Sequence, residues 1–195
     1  MKPEQITDAE MALAPPYCID TNTFRYGGEN NASPNAPKWV AMMGKTFWAV
    51  HHYCWAIINL SRVERAGTSE MVKRNTREQA VNDMFYVVEH GEMDSPVMPE
   101  IFTKIGEVQL SLGNVRQANE AYAKARALQP TYGPAYTQWA DYLMRTGHKP
   151  EARQLVEEGL SYVPDNKSLR MLLTSLGGNP ANVVPKTPPQ PQASR

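Results

Sequence analysis

Apolar residues recur at helical spacing twice over in the second half of this chain. In 99–130, Phe102 and Ile105 sit one turn apart on a first segment; in 133–164, Tyr136 and Trp139 do the same. Each first segment ends at a glycine, Gly113 or Gly147, where positive φ is cheap. A second amphipathic stretch then carries small residues, Ala118 and Ala125 in one copy and Ala152 and Gly159 in the other, where it crosses the first closely. Pro130 and Pro164 close the second stretch, because proline cannot continue a helix. All these pairs, with Phe102 and Tyr136, stand 34 residues apart. A helical hairpin with one apolar face buries that face only by stacking on neighbours, so the pattern predicts an all-α solenoid of two hairpins, 99–132 and 133–165.

Two hairpins need caps at their ends. Downstream, 166–178 reads as one amphipathic capping helix. Asn166 is its N-cap, Leu169, Leu172, Leu173 and Leu176 form its stripe, and Gly177 ends it. Upstream, 45–67 and 72–91 both read as helices but lie off the 34-residue register. Phe47, His51, Trp55 and Ile58 share a stripe on the first; Ala80, Met84, Val87 and Val88 share one on the second. They predict a third, irregular hairpin over 45–98. Residues 1–44, rich in Asn, Pro and Gly, read as mostly loop, with short helical turns in TDAEMALAPPYC and NAPKWVAMMG. The tail 179–195 is proline-rich and polar, and is expected to be disordered.

A period of 34 with these residue types resembles the tetratricopeptide repeat (TPR) over 99–164. Gln109 and Leu143 depart from it, standing where the family usually carries tyrosine. The resemblance implies a concave groove lined by the first helix of each repeat. By register that groove would present Glu100, Thr103, Lys104, Glu107 and Leu110 from one repeat and Thr137, Gln138, Asp141, Met144 and Arg145 from the next. Such a mixed polar surface with two apolar spots suits an extended peptide or a partner helix. It lacks the cluster of basic residues that would grip a terminal carboxylate.

Charge narrows the partners. Twenty basic and twenty acidic residues cancel, without blocks of one sign, so there is no electrostatic footprint for nucleic acid or an anionic membrane. The longest apolar run, 54–60, falls far short of the roughly 18–20 residues that span a bilayer. The first residues contain a lysine but no apolar core, so no signal peptide is expected in this chain.

The candidate chemistry is concentrated in His51-His52-Tyr53-Cys54-Trp55, with Cys18 the only other cysteine. Four readings compete. A zinc site would use His51 and Cys54, Cys18 from the loop, and His90 if the hairpin returns it; but there is no CxxC, and His52 points about 100° away from His51 on a helix. A Cys–His nucleophile would lack both a helix N-terminus to lower the thiol pKa and an evident oxyanion hole. The segment can also be a packing face with His51 interior, or that same face with Cys54 bridged to Cys18 across 36 residues. C-type haem attachment requires C-x-x-C-H, which does not occur.

Ala14-Pro15-Pro16-Tyr17-Cys18, a tryptophan-containing stretch, and then HHYCWAIINLSR ahead of two repeats are similar to a group of small exported proteobacterial TPR proteins. That resemblance implies a Cys18–Cys54 pair, a periplasmic location (a cytoplasmic one being the alternative) and no known enzymatic activity. The functional expectation is a non-catalytic adaptor or accessory subunit of a larger, cell-envelope protein assembly, with a protein partner and no cofactor. The rival is a small metal- or redox-active protein using Cys18, His51, His52 and Cys54.

Overall fold

The computed structural model describes residues 6–22, 24 and 33–188. Among them every regular element is helical, and the architecture is an all-α, TPR-like helical repeat. The chain divides into two compact units, Met1–Met98 and Pro99–Arg195.

In the first unit, α1 (Asp8–Met11) is a single turn set by a capping box. The Glu10 N–H donates to Thr7 Oγ1 (3.2 Å), and the Thr7 N–H donates to Glu10 Oε2 (2.9 Å). A 3₁₀ turn, Pro16–Asp20, follows, and then α2 (Ala36–Met43), ended by Gly44 at φ 59°. The buried Asp20 carboxylate gathers this region: it accepts from Ser33 Oγ (2.5 Å), Asn35 Nδ2 (3.2 Å) and Trp39 Nε1 (2.8 Å). Residues 1–5, 23 and 25–32 of the expected loop lie outside the described residues.

The helix expected over 45–67 is divided at Val50 into α3 (Thr46–Ala49) and α4 (His51–Val63). Glu92 holds the start of α3, its carboxylate accepting from the Lys45 N–H (3.1 Å) while its own N–H donates to Thr46 Oγ1 (2.8 Å). α5 (Glu70–His90) runs back antiparallel along α4 and buries only its second half, through Ala80, Val81, Met84 and Val87. The inward stripe of α3–α4 differs from the expected one. Val50, Cys54 and Ile58, at i, i+4 and i+8, are wholly buried with Phe47 and Tyr53, so His51 and Trp55 fall to the margin. Trp55 covers Phe24 instead, ring centroids 4.7 Å apart.

The second unit is carried by α6 (Met98–Ser111), α7 (Val115–Leu128), α8 (Gly133–Arg145), α9 (Lys149–Tyr162) and α10 (Lys167–Ser175). Gly113 and Gly147 take φ 81° and 88° after α6 and α8. The crossing positions are as small as the packing demands: a Cβ on Gly106 would meet the Tyr122 ring, and one on Gly159 would meet Tyr136 and Leu169. Tyr122, Tyr136, Trp139, Val156, Leu160, Leu169 and Leu173 form one core, which Leu110 and Met144 join from the side. Asn166 Oδ1 accepts from the Leu169 N–H (3.0 Å) at the start of α10, and Gly177 follows at φ 75°.

The tail departs from the expected disorder. Through Pro188 it lies against α9, seated by half-buried Val183 and by the Lys186 N–H, which donates to the Ser161 carbonyl (2.6 Å). An Asn-Val-Val stretch ahead of the prolines supplies the apolar contact that composition alone undervalued. Residues 189–195 lie outside the described residues.

Candidate functional site

Two places hold the residues singled out in the sequence. The first is the set of positions on α6 and α8 expected to line a groove. Glu100, Lys104 and Glu107 stand at i, i+4 and i+7 on α6, with Leu110 beyond them; Thr137, Gln138, Asp141, Met144 and Arg145 come from α8. Four of the charges on these helices are paired within their own helix. Lys104 pairs with Glu107 (2.7 Å) and Arg145 with Asp141 (2.9 Å), all four partly or fully exposed. Thr137 Oγ1 turns back to the Pro134 carbonyl (3.2 Å).

Thr103 requires a correction. It is only 3% exposed and cannot present its side chain to a partner. Helix α6 is buried on more than one side here, since Ile101, Phe102 and Ile105 are buried too. The purely amphipathic reading assumed one open side.

Tyr122 was missed because it belongs to α7, the second helix of its repeat. Its ring is buried beside Trp139 (5.7 Å), and its hydroxyl donates to Gln138 Oε1 (3.2 Å). Burial pushes this phenol above its ordinary pKa, with the Glu107 charge adding to the effect, so it remains a hydrogen-bond donor. With Gln138 Oε1 accepting this hydrogen bond, the amide nitrogen of the half-buried Gln138 keeps its own donors. A tyrosine one turn after the small Ala118 is the signal that could have found it.

The second place is around the HHYCW segment. Cys54 is joined to Cys18 by a disulfide, with Cα atoms 5.6 Å apart, and neither cysteine is exposed. His51 is half-buried rather than interior, and its Nδ1 lies 3.0 Å from the Trp48 carbonyl oxygen. Burial, then the nearby His52, lower its pKa. His52 Nδ1 lies 3.0 Å from Asp83 Oδ1 on α5. The His51, His52, Tyr86 and His90 rings form a ladder along α4 and α5, with successive centroids 4.5, 3.9 and 3.9 Å apart. Cys54 points inward while these imidazoles lie at the surface, so the structure does not bring thiol and imidazole together. Among the described residues no three His, Cys, Asp or Glu side chains are grouped to hold a metal ion.

No helix among the described residues is long and apolar enough to cross a membrane. Residues 109–176 match the family model of the tetratricopeptide repeat, a stretch running from the end of α6 through α10. No curated protein matches the chain. The match supports the TPR family for this region, whose members generally mediate protein–protein contacts and are generally not enzymes.

Proposed function

We propose that this chain is a non-catalytic adaptor or accessory subunit of a larger protein assembly in the cell envelope, and that the α6–α8 face binds an extended segment of its partner. One observation carries the reading. Lys104 and Glu107 on α6, and Asp141 and Arg145 on α8, are paired within their own helices, which supports a ligand held chiefly by the Gln138 amide and by the exposed parts of Leu110 and Met144. Gross charge is therefore a weak selector here; main-chain carbonyls and small apolar side chains of an extended peptide suit the face best. An oxidising, periplasmic location accords with a disulfide between the chain's two cysteines.

The test is site-resolved cross-linking in the native host. A photo-reactive residue at Gln138 is expected to capture one protein of defined mass, while the same residue at exposed Lys124 on α7 captures none. Equal capture from both positions, or capture from Lys124 alone, overturns the assignment. For the location, cells are acid-quenched and the protein is alkylated under denaturing conditions, with and without prior reduction, because both cysteines are buried; Cys18 and Cys54 are expected to be labelled only after reduction. Labelling beforehand would place the chain in a reducing compartment.

A further inference from the structure

The 34-residue register continues past the second repeat. Lys167, the first residue of α10, lies 34 positions after Gly133, the first residue of α8, so α10 stands where the first helix of a third repeat would stand. Moving the start of α9, Lys149, forward by 34 places the start of a second helix at Val183. There the chain reads Val183-Val184-Pro185-Lys186-Thr187-Pro188, followed by Pro189 and Pro191. Proline has no N–H to donate and clashes with the preceding turn, so Pro185 and Pro188 interrupt any helix over 183–188. Residues 183–188 run instead as an extended strap across α9.

The strap is lightly held. Val183 alone reaches the core, and the Lys186 N–H meets the Ser161 carbonyl, which lies too close to the end of α9 to find a partner within its own helix. Val184 is 76% exposed, and Pro185, Lys186 and Thr187 also face solvent. Between strap and helix an open cleft of about 540 Å³ remains, walled by Arg153, Gln154, Glu157 and Glu158 on one side and by Asn182 and Lys186 on the other. The surface of α9 thus offers an apolar seat, a main-chain acceptor and unfilled polar space, of which the strap uses the first two. Gly177 (φ 75°) and Gly178, whose N–H donates to the Leu173 carbonyl (2.9 Å), join α10 to the strap.

We propose that this face of α9 is an acceptor for an extended, proline-containing segment of a partner protein, which residues 179–188 occupy in cis until the partner displaces them. The partner segment would place a small branched apolar residue in the Val183 seat and a main-chain N–H on the Ser161 carbonyl three residues later. Its polar side chains would fill the cleft against Arg153 and Glu157. This surface is separate from the α6–α8 face and does not depend on it.

The test uses a dye-labelled peptide of sequence NPANVVPKTP, residues 179–188, in fluorescence anisotropy against the full chain. The wild type's apparent affinity is the intrinsic affinity multiplied by the fraction of molecules whose strap is open, so a mostly closed strap weakens binding. Val183→Asp in the chain is expected to release the strap and tighten peptide binding about tenfold or more. The same change in the peptide should abolish binding. Lys186→Pro in the chain, which removes the N–H and leaves the Val183 seat, is expected to act in the same direction, and it decides the matter if Val183→Asp fails to fold by circular dichroism. Equal binding to wild type and released chains, or undiminished binding of the altered peptide, overturns the proposal. So does a concentration-dependent wild-type dimer that both variants dissolve, because the seat would then belong to the strap of a second copy.

Discussion

Glu10 illustrates how far one residue's role depends on partners remote in sequence. Its carboxylate is buried yet receives a two-pronged contact from Arg62 (2.7 and 2.9 Å) and another from Arg65 (2.6 Å), fastening α1 to the end of α4. The Arg62 hydrogen bonds, then the Thr7 N–H, hold its pKa well below the usual carboxylate range. A lowered folded-state pKa means that the attachment contributes fully above the unfolded value of about 4.3 and is lost as pH falls through and below it. Amide exchange in residues 6–14 is therefore expected to accelerate below about pH 4 before α4 itself opens. Glu10→Gln should show the fast exchange already at pH 7. The disulfide acts on the same segment by another route. Its 36-residue separation implies about 3–4 kcal/mol from restricting the unfolded chain. The Cys18→Ala, Cys54→Ala double variant should lower the denaturant midpoint by a corresponding amount, and reductant should change the wild type but not the variant. Glu10 could not be picked out in advance, because its partners are 52 and 55 residues away. The cysteine pair was open to view, though a metal remained possible until the burial of Cys54 was known.

At the level of elements, the repeat was legible because each of its constraints is local. Gly147 needs φ 88°, Pro164 ends a helix, and Ala152 must be small: each acts within its own hairpin. The upstream hairpin was less legible because its inward stripe is decided by tertiary contact. Phe47, His51, Trp55 and Ile58 made an equally good helical stripe on paper, but Val50 and Cys54 took the inside. The groove suffered the same limit at Thr103, since periodicity does not report how many sides of α6 are covered. Two glycines separate the kinds of constraint. At Gly147 nothing lies within reach of an added Cβ, so Gly147→Ala tests backbone strain alone and should cost about 1 kcal/mol. At Gly159 the added methyl meets the Tyr136 ring and Leu169, so Gly159→Ala should cost more, about 1–3 kcal/mol, because core side chains must shift. Thermal unfolding of the two variants side by side gives the ordering, and a larger loss at Gly147 would refute it.

For the whole molecule, the division into two units has a consequence that reduction can expose. The Cys18–Cys54 bond and the Glu10 contacts with Arg62 and Arg65 fall within Met1–Met98. The repeat core, from Ala118 to Leu173, falls within Pro99–Arg195 and contains no cysteine. Reduction relaxes only the loop that the disulfide closes, so its effect should be confined to the first unit. Hydrogen exchange read by mass spectrometry, with and without reductant at neutral pH, is expected to show faster exchange in peptides covering 6–22, 33–43 and 46–63. Peptides covering α7, α8 and α9 should keep their protection. Equal loss of protection in α7–α9 would mean that the repeats draw their stability from the disulfide-bonded unit. The binding face proposed above would then depend on the redox state of its compartment.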